Sequence, residues 1–151
     1  MPDPPPVPEV PYATTLLVRD TCLCLHAQRA ARALARRFDE TLRPVGLTNG
    51  QFSLLMALNR PEPPRMRPVA DLLAMDQTTL TAALKPLQRR GLVEIGVDPE
   101  DRRSRRLALT AAGRALLAAA LPVWAAEHAA VEATLADGAA ERLRRDLVAL
   151  S

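Results

Sequence analysis

Aromatic residues are scarce in this 151-residue sequence, which contains one tryptophan, one tyrosine and two phenylalanines. Hydrophobic residues nevertheless make up 48% of the chain, and most of them are alanine and leucine. This mixture favours packed helices over a β-sandwich, so we expect a mainly α-helical protein. The length suits one domain, or one protomer of an intertwined dimer.

Cysteine and long apolar runs are also scarce. The two cysteines, Cys22 and Cys24, are too few for a disulfide framework and favour a reducing compartment. The sequence contains no run of about 18 apolar residues, so no transmembrane helix is predicted. The proline-rich start, Met1 to Pro11, lacks the basic residues and apolar core of a signal peptide. We therefore expect a cytoplasmic protein, without a membrane partner, whose residues 1–11 form a flexible arm.

Recognisable enzyme motifs are missing as well. The sequence has no glycine-rich phosphate loop, no metal-ligand cluster and no plausible Ser/His/Asp set. We expect no enzymatic activity, no metal and no cofactor. The formal net charge of +3 is only mildly basic and does not by itself indicate nucleic-acid binding.

The most informative segment runs from Val69 to Thr110. A short helix is followed by a tight turn, after which Asp76 can cap a second helix that ends at Gly91. Alternating apolar residues around a turn at residues 98–101 then predict a two-stranded hairpin. This order is typical of a winged helix-turn-helix, whose second helix enters the DNA major groove and whose hairpin, the wing, lies beside it.

The second helix of this segment has two different faces. Leu80, Leu84 and Leu87 form an apolar stripe, whereas the opposite face is small, hydroxylated and cationic. Four arginines come after the acidic turn of the wing, and Arg106 is the last of them. A winged helix that serves only protein contacts is the alternative, but exposed threonines and wing arginines favour DNA. The predicted DNA-binding residues are Gln77, Thr78, Thr79, Thr81, Ala82, Lys85, Asp101, Arg102, Arg103 and Arg105.

The same residues carry a family resemblance. Leu84–Val93, Asp98–Arg103 and Leu107–Gly113 resemble the corresponding motifs of the MarR (multiple-antibiotic-resistance regulator) family of bacterial transcription factors. The resemblance implies a homodimer, a repressor and a small-molecule inducer that lowers DNA affinity. Because a two-fold dimer pairs two recognition helices, we expect a pseudo-palindromic double-stranded DNA operator. The resemblance also implies that Arg102 or Arg103 enters a minor groove while Asp101 steadies the loop.

Three residues depart from the family pattern. Pro86 lies inside the second helix, Gln88 replaces a usual glutamate, and Ile95 stands where many members have arginine. Because proline removes a helical hydrogen bond, we expect Pro86 to bend the helix near Ala82.

The rest of the chain is predicted to be helical. Residues 12–47 form a dimerisation helix ended by Pro44–Gly46, residues 48–110 the winged helix-turn-helix region, and residues 111–151 two C-terminal dimerisation helices. The predicted caps are a capping box at Thr48 and Gln51, Thr110, and Asp137. Apolar stripes need a partner where one chain leaves them exposed. They comprise Leu23, Leu34, Phe38 and Leu42 at one end and Leu143, Leu147 and Leu150 at the other.

One group of residues in the first predicted helix allows several interpretations. Cys22, His26 and Arg29 share a helical face, whereas Cys24 does not and is predicted to be a small core residue of a dimer helix. Cys22 is a candidate oxidant sensor, although two cysteines at i and i+2 in a helix cannot easily pair. A metal site is the weakest alternative, since His128 is the only other histidine. The family's inducer site suggests a pocket for an anionic aromatic ligand, lined by Cys22, His26, Arg29, Phe52, Met56 and Trp124.

Overall fold

The computed structural model describes residues 8–151, in which the predicted mainly helical fold with a two-stranded wing is confirmed. The helices are α1 (Tyr12–Thr21), α2 (Leu23–Leu42), α3 (Asn49–Leu58), α4 (Met66–Leu72), α5 (Gln77–Arg89), α6 (Ala111–Glu132) and α7 (Ala139–Ala149). A short 3₁₀ turn, Arg43–Val45, follows α2, and the strands are β1 (Val93–Val97) and β2 (Arg105–Leu109). None of the helices within residues 8–151 combines the length and apolarity needed to cross a bilayer.

The chain divides into two compact units, Met1–Ala35 and Arg36–Ser151. In the first, the single long helix predicted from residue 12 is wrong, because Cys22 is extended (φ −72°, ψ 108°) and separates α1 from α2. The Cys22 N–H still donates to the Val18 carbonyl, while the Cys22 carbonyl accepts from the His26 N–H. Cys22 therefore ends one helix and begins the next. Of the predicted arm, residues 1–7 lie outside the described part of the chain.

The second unit contains the hydrophobic core. Leu80, Leu84 and Leu87 are completely buried, as predicted, and they anchor α5 on the rest of the unit. The same core includes buried apolar residues of α2, α3, α4, α6 and both strands, because each of these elements places apolar residues toward the same centre. The other large apolar side chains that are fully buried are Leu42, Leu54, Leu55, Val69 and Leu107.

The predicted turn and cap residues mostly behave as expected. Thr48 and Gln51 form a capping box, and Gly91 ends its helix with a positive φ of 69°. The Thr110 hydroxyl accepts from the Gly113 N–H at the start of α6. The predicted cap at Asp137 is wrong, because α7 begins after Gly138, whose φ of 69° turns the chain without a side-chain cap.

The burial of the apolar residues follows the predictions only in part. The spacing of Val69, Leu72 and Leu73 predicts one apolar face for the short helix, but Leu72 is 60% exposed, since the seven-residue α4 turns Val69 and Ala70 toward the core. The stripe predicted along α2 divides, with Phe38 and Leu42 buried and Leu23 and Leu34 exposed. Cys24 is exposed in the single chain, and its predicted burial in a dimer stays a prediction. Leu143 and Leu147 on α7, and Leu150 directly after it, are exposed in the single chain, as predicted.

The wing is held on both sides of β2. β1 and β2 pair antiparallel, with Val93 opposite Leu109 and Ile95 opposite Leu107. On its other side, β2 is hydrogen-bonded to the segment before α4, since the Leu107 N–H donates to the Pro64 carbonyl over 2.9 Å. The wing is therefore fixed to the start of α4, which positions it beside α5.

Candidate nucleic-acid interface

The N-terminus of α5 is fixed by Asp76. One carboxylate oxygen accepts from the Thr79 N–H over 2.7 Å and the other from the Thr79 hydroxyl over 2.8 Å. The first of these bonds holds the pKa of Asp76 below its ordinary value. Because the inner face of α5 is buried and its start is capped, the opposite face is presented to solvent in one orientation.

Five of the predicted DNA-binding residues meet on that outer face. They line a groove of about 380 Å³ and are Gln77, Thr78, Thr81, Ala82 and Lys85. Thr79 is exposed but does not line the groove, since its hydroxyl and its N–H both bind Asp76. The structure thus brings together small hydroxyl and methyl groups beside the chain's single lysine, a surface that a base-pair edge can approach closely.

Asp101 shapes the tip of the wing. Its carboxylate accepts from the Arg103 N–H over 3.0 Å and from the Ser104 hydroxyl over 2.8 Å, and these bonds lower the pKa of Asp101. The Arg105 guanidinium turns back onto the carbonyls of Arg102 and Ser104. Within the described residues, Arg102 and Arg103 form no ion pair, so their charges are available to a partner.

A buried ion cluster supports the base of the wing, and sequence reasoning missed it. Asp98 is completely buried and its Oδ2 accepts from Arg65 Nε over 2.6 Å and from Arg106 Nε over 2.8 Å. Burial raises the pKa of Asp98, but the Glu100 N–H and the two guanidinium groups outweigh that effect and lower it to about 2. Arg106, grouped by sequence with the other wing arginines, therefore serves the wing's base.

The base of the wing, α4 and α5 enclose one concave basic surface. A cavity of about 670 Å³ is lined by residues from the start of α4, the start of α5 and the wing. Its arginines are Arg65, Arg67, Arg103 and Arg105, and Gln77 and Thr81 lie at its α5 side. Arg67 is a further candidate that the sequence did not indicate. A concave arginine-rich surface between a helix and a wing suits a phosphate backbone.

We predict that Asp98→Asn loosens the wing without unfolding the chain. The substitution removes the negative charge between Arg65 and Arg106, so DNA affinity is expected to fall roughly ten-fold, the effect of misplacing one or two phosphate contacts. Because folding lowers the pKa of Asp98, its stabilising effect is complete above about pH 4 and is lost as the pH falls toward 2.

Acid unfolding followed by circular dichroism measures this effect. The wild type should lose stability between about pH 4 and pH 2 more steeply than Asp98→Asn, with Asp71→Asn, an exposed carboxylate on α4, as the control. Identical acid transitions in the wild type and Asp98→Asn would contradict the assignment of Asp98 as the wing's support.

A separate apolar cavity contains three of the predicted ligand residues. Phe52, Met56 and Trp124 line a space of about 360 Å³, in which the rings of Phe52 and Trp124 stack with centroids 5.8 Å apart. The imidazole of His128 stacks on the other side of Trp124 at 4.7 Å. The remaining wall residues are Ser53, Ala57, Leu72, Leu73 and Leu121. This cavity can accept a flat apolar group.

The other three predicted ligand residues belong to the first unit. Cys22 is half-buried, whereas His26 and Arg29 are exposed, and the His26 Nδ1 lies 2.8 Å from the Cys22 carbonyl oxygen. The prediction that they share a ligand site with Trp124 stays a prediction. Within residues 8–151, no three His, Cys, Asp or Glu side chains are grouped so as to hold a metal ion.

Known proteins resemble the chain over the same elements. A family model described as the MarR family matches residues 45–104. The M. tuberculosis transcriptional regulator MosR, solved in complex with DNA, has a TM-score of 0.78 and 40% identity over 85% of this chain and 92% of that one. The repressor CouR of Rhodococcus jostii, bound to a 23-mer DNA duplex, has a TM-score of 0.78 and 30% identity over 88% and 94% of the two chains.

A curated relative gives a shorter match. The transcriptional repressor NicR of Pseudomonas putida is 38% identical over 76 residues, which cover 50% of this chain and 48% of that protein. The chain thus spans about half the length of the first curated relatives it matches.

Proposed function

The chain belongs to the MarR family of transcriptional regulators, and from that premise we propose that it is a homodimeric, sequence-specific DNA-binding repressor. The observation that carries the proposal is the meeting of the outer face of α5 with the unpaired wing arginines around one basic surface. MosR and CouR, with the same fold, were solved on DNA.

The proposed complex uses both grooves of the duplex. The groove-lining residues of α5 enter the major groove, where Lys85 binds a guanine edge or a phosphate. Arg102 or Arg103 enters the adjacent minor groove, in which a narrow A·T segment attracts guanidinium groups. Arg105 holds the wing tip in shape through its bonds to the carbonyls of Arg102 and Ser104. In the proposed complex its charge remains near the DNA backbone. The two contacts together fix the register of the protein on the DNA.

Selection from random DNA tests this proposal. Purified protein is incubated with a library of random duplexes, and the retained DNA is sequenced. We expect a pseudo-palindrome whose half-sites lie about one helical turn, roughly 10 base pairs, apart, because a two-fold dimer presents two copies of α5 to one side of the duplex. Recovery of DNA with no enriched sequence would overturn the proposal.

We predict a dimer built on the exposed apolar faces. Leu143, Leu147 and Leu150 leave on α7 an apolar face of the kind that monomers rarely expose. Light scattering at micromolar concentration should give twice the 16.4 kDa of one chain. Leu147→Glu should shift the mass toward one chain, whereas Val97→Glu, an equally apolar but isolated wing residue, should not. A stable, folded wild-type monomer would contradict the dimer.

We further propose that a small anionic aromatic ligand releases the DNA. The apolar cavity beside Trp124 accepts the ring, and CouR has been solved with p-coumaroyl-CoA, an aromatic anion. A dimer holds its two α5 helices at one separation, so a ligand that prefers another separation by about 3 kcal/mol lowers DNA affinity roughly a hundred-fold. Arg29 and His26 are the predicted partners of the anionic end.

A second candidate trigger is oxidation of Cys22. The observation that favours it is the helix break, where the Cys22 sulfur accepts from the Leu25 N–H over 3.5 Å and a change in the thiol would alter the start of α2. The break also removes the helical geometry on which the expectation against pairing with Cys24 rested. A sensor thiol must be reached by the oxidant, and the half-buried Cys22 keeps part of its surface open to solvent.

One pair of titrations separates the two triggers. DNA release is measured with p-coumarate and p-coumaroyl-CoA, and separately with hydrogen peroxide; Trp124, the only tryptophan, reports occupancy of the cavity by its fluorescence. We expect release by an aromatic anion, quenching of Trp124, and weaker release in Arg29→Ala. Release by peroxide alone that vanishes in Cys22→Ser but not in Cys24→Ser would show that the thiol is the sensor.

A further inference from the structure

Two of the three threonine hydroxyls of α5, those of Thr79 and Thr81, donate their hydrogens within the protein. The Thr81 hydroxyl donates to the Gln77 carbonyl over 2.7 Å, and the Thr79 hydroxyl donates to the Asp76 carboxylate over 2.8 Å. A hydroxyl has one hydrogen and two acceptor lone pairs. Thr81, which lines the groove, therefore offers an incoming base an acceptor and no donor.

Pro86 leaves a backbone acceptor of α5, the Ala82 carbonyl, without its ordinary donor. In an α-helix the carbonyl of residue i accepts from the N–H of residue i+4, and the residue four positions after Ala82 is Pro86, which carries no N–H. Ala82 is exposed and lines the groove beside Thr81. A helix carbonyl without its ordinary donor seeks another hydrogen-bond partner.

The proline does not end the helix. The Pro86 carbonyl accepts from the Arg90 N–H over 3.1 Å, and α5 continues to Arg89. Leu84 and Leu87, on the two sides of the proline, are both completely buried. Packing of the inner face therefore keeps the Ala82 carbonyl on an intact, positioned helix. The expected bend near Ala82 stays a prediction.

From these contacts we infer that α5 reads the exocyclic amino groups of adenine or cytosine through two acceptors, the Thr81 hydroxyl oxygen and the Ala82 carbonyl freed by Pro86. In the major groove the amino groups of adenine and cytosine are the donors, whereas guanine and thymine present only acceptors there. The operator should therefore carry adenine or cytosine at adjacent positions on the strand that faces residues 81 and 82. The inference rests on the proposed DNA binding.

Selection from random duplexes with matched variants tests the inference. Pro86→Ala restores the N–H that satisfies the Ala82 carbonyl, and Thr81→Val replaces the hydroxyl by a methyl group of the same shape. Gln88→Ala, an exposed residue of α5 outside the groove, is the control. Pro86→Ala and Thr81→Val should each reduce the preference for adenine or cytosine roughly five-fold at one symmetric pair of positions, because one hydrogen bond gives about that discrimination. Gln88→Ala should keep the wild-type base preference at both pairs of positions.

A second measurement uses the selected duplex itself. If one of the two positions is adenine, replacing it by 2-aminopurine moves the amino group out of the major groove. The wild type should then bind roughly five-fold more weakly, and the variant that lacks the matching acceptor should bind both duplexes equally. Unchanged base preference in Pro86→Ala and Thr81→Val would overturn the inference while leaving sequence-specific binding intact. Failure of the wild type to enrich any sequence would instead overturn the proposed function.

Discussion

Replacing both Arg102 and Arg103 by alanine is expected to weaken binding to the selected duplex roughly a hundred-fold at physiological salt. These arginines project from a wing tip that Asp101 holds in shape, and neither is paired within the described residues. Their loss removes one minor-groove contact and one phosphate contact. Fluorescence anisotropy over a series of KCl concentrations should show that the slope of log K against log salt falls by about two.

A matched double variant controls for total charge. Arg142 and Arg145 are exposed on α7, away from α5 and the wing in sequence, and their replacement by alanine lowers the net charge equally. That variant should bind the duplex with a nearly unchanged salt slope. Affinity that is unaffected by both Arg102→Ala and Arg103→Ala would remove the wing from the mechanism.

Gly113→Ala is expected to destabilise the fold by about 3 kcal/mol, at the upper end for overpacking. A Cβ at Gly113 would lie 2.1 Å from the Leu92 carbonyl oxygen, which is backbone and cannot rotate away. The start of α6 would have to move from the end of α5, where Thr110 also binds the Gly91 carbonyl. Urea unfolding at one fixed protein concentration measures the change.

Gly50→Ala is the control for this substitution. Gly50 lies in the first turn of α3, and a Cβ there would meet nothing within 4 Å. Because alanine is the better helix former, this variant should be as stable as the wild type or more stable by up to about 1 kcal/mol. Equal stabilities of Gly113→Ala and Gly50→Ala would contradict the close packing of α6 against Leu92.

Sequence reasoning succeeded where the determining interactions are local. The cap at Asp76, the capping box at Thr48 and the turn at Gly91 each depend on residues within four positions of one another. The stripe of Leu80, Leu84 and Leu87 follows from helical spacing alone. These short-range signals predicted the helix-turn-helix and the outer face of α5.

The remaining features depend on long-range contacts or on competing local ones. Asp98 meets Arg65 across 33 residues of sequence, and nothing in either segment indicates its partner. The break at Cys22 escaped prediction because no proline or glycine marks it, and the Asp137 cap failed because Gly138 turns the chain first. Arg67 became a candidate only when α4 and the wing were seen to share a cavity.

The DNA-binding surface is tested most directly by dimethyl sulfate footprinting on the selected duplex. The reagent methylates guanine N7 in the major groove and adenine N3 in the minor groove, so it reports the two proposed contacts separately. We predict N7 protection in two segments about one helical turn apart, with flanking N3 protection that disappears in the Arg102 and Arg103 double variant. Tight binding without N7 protection, or N3 protection that persists in the double variant, would contradict the assignment of α5 and the wing as the DNA-binding elements.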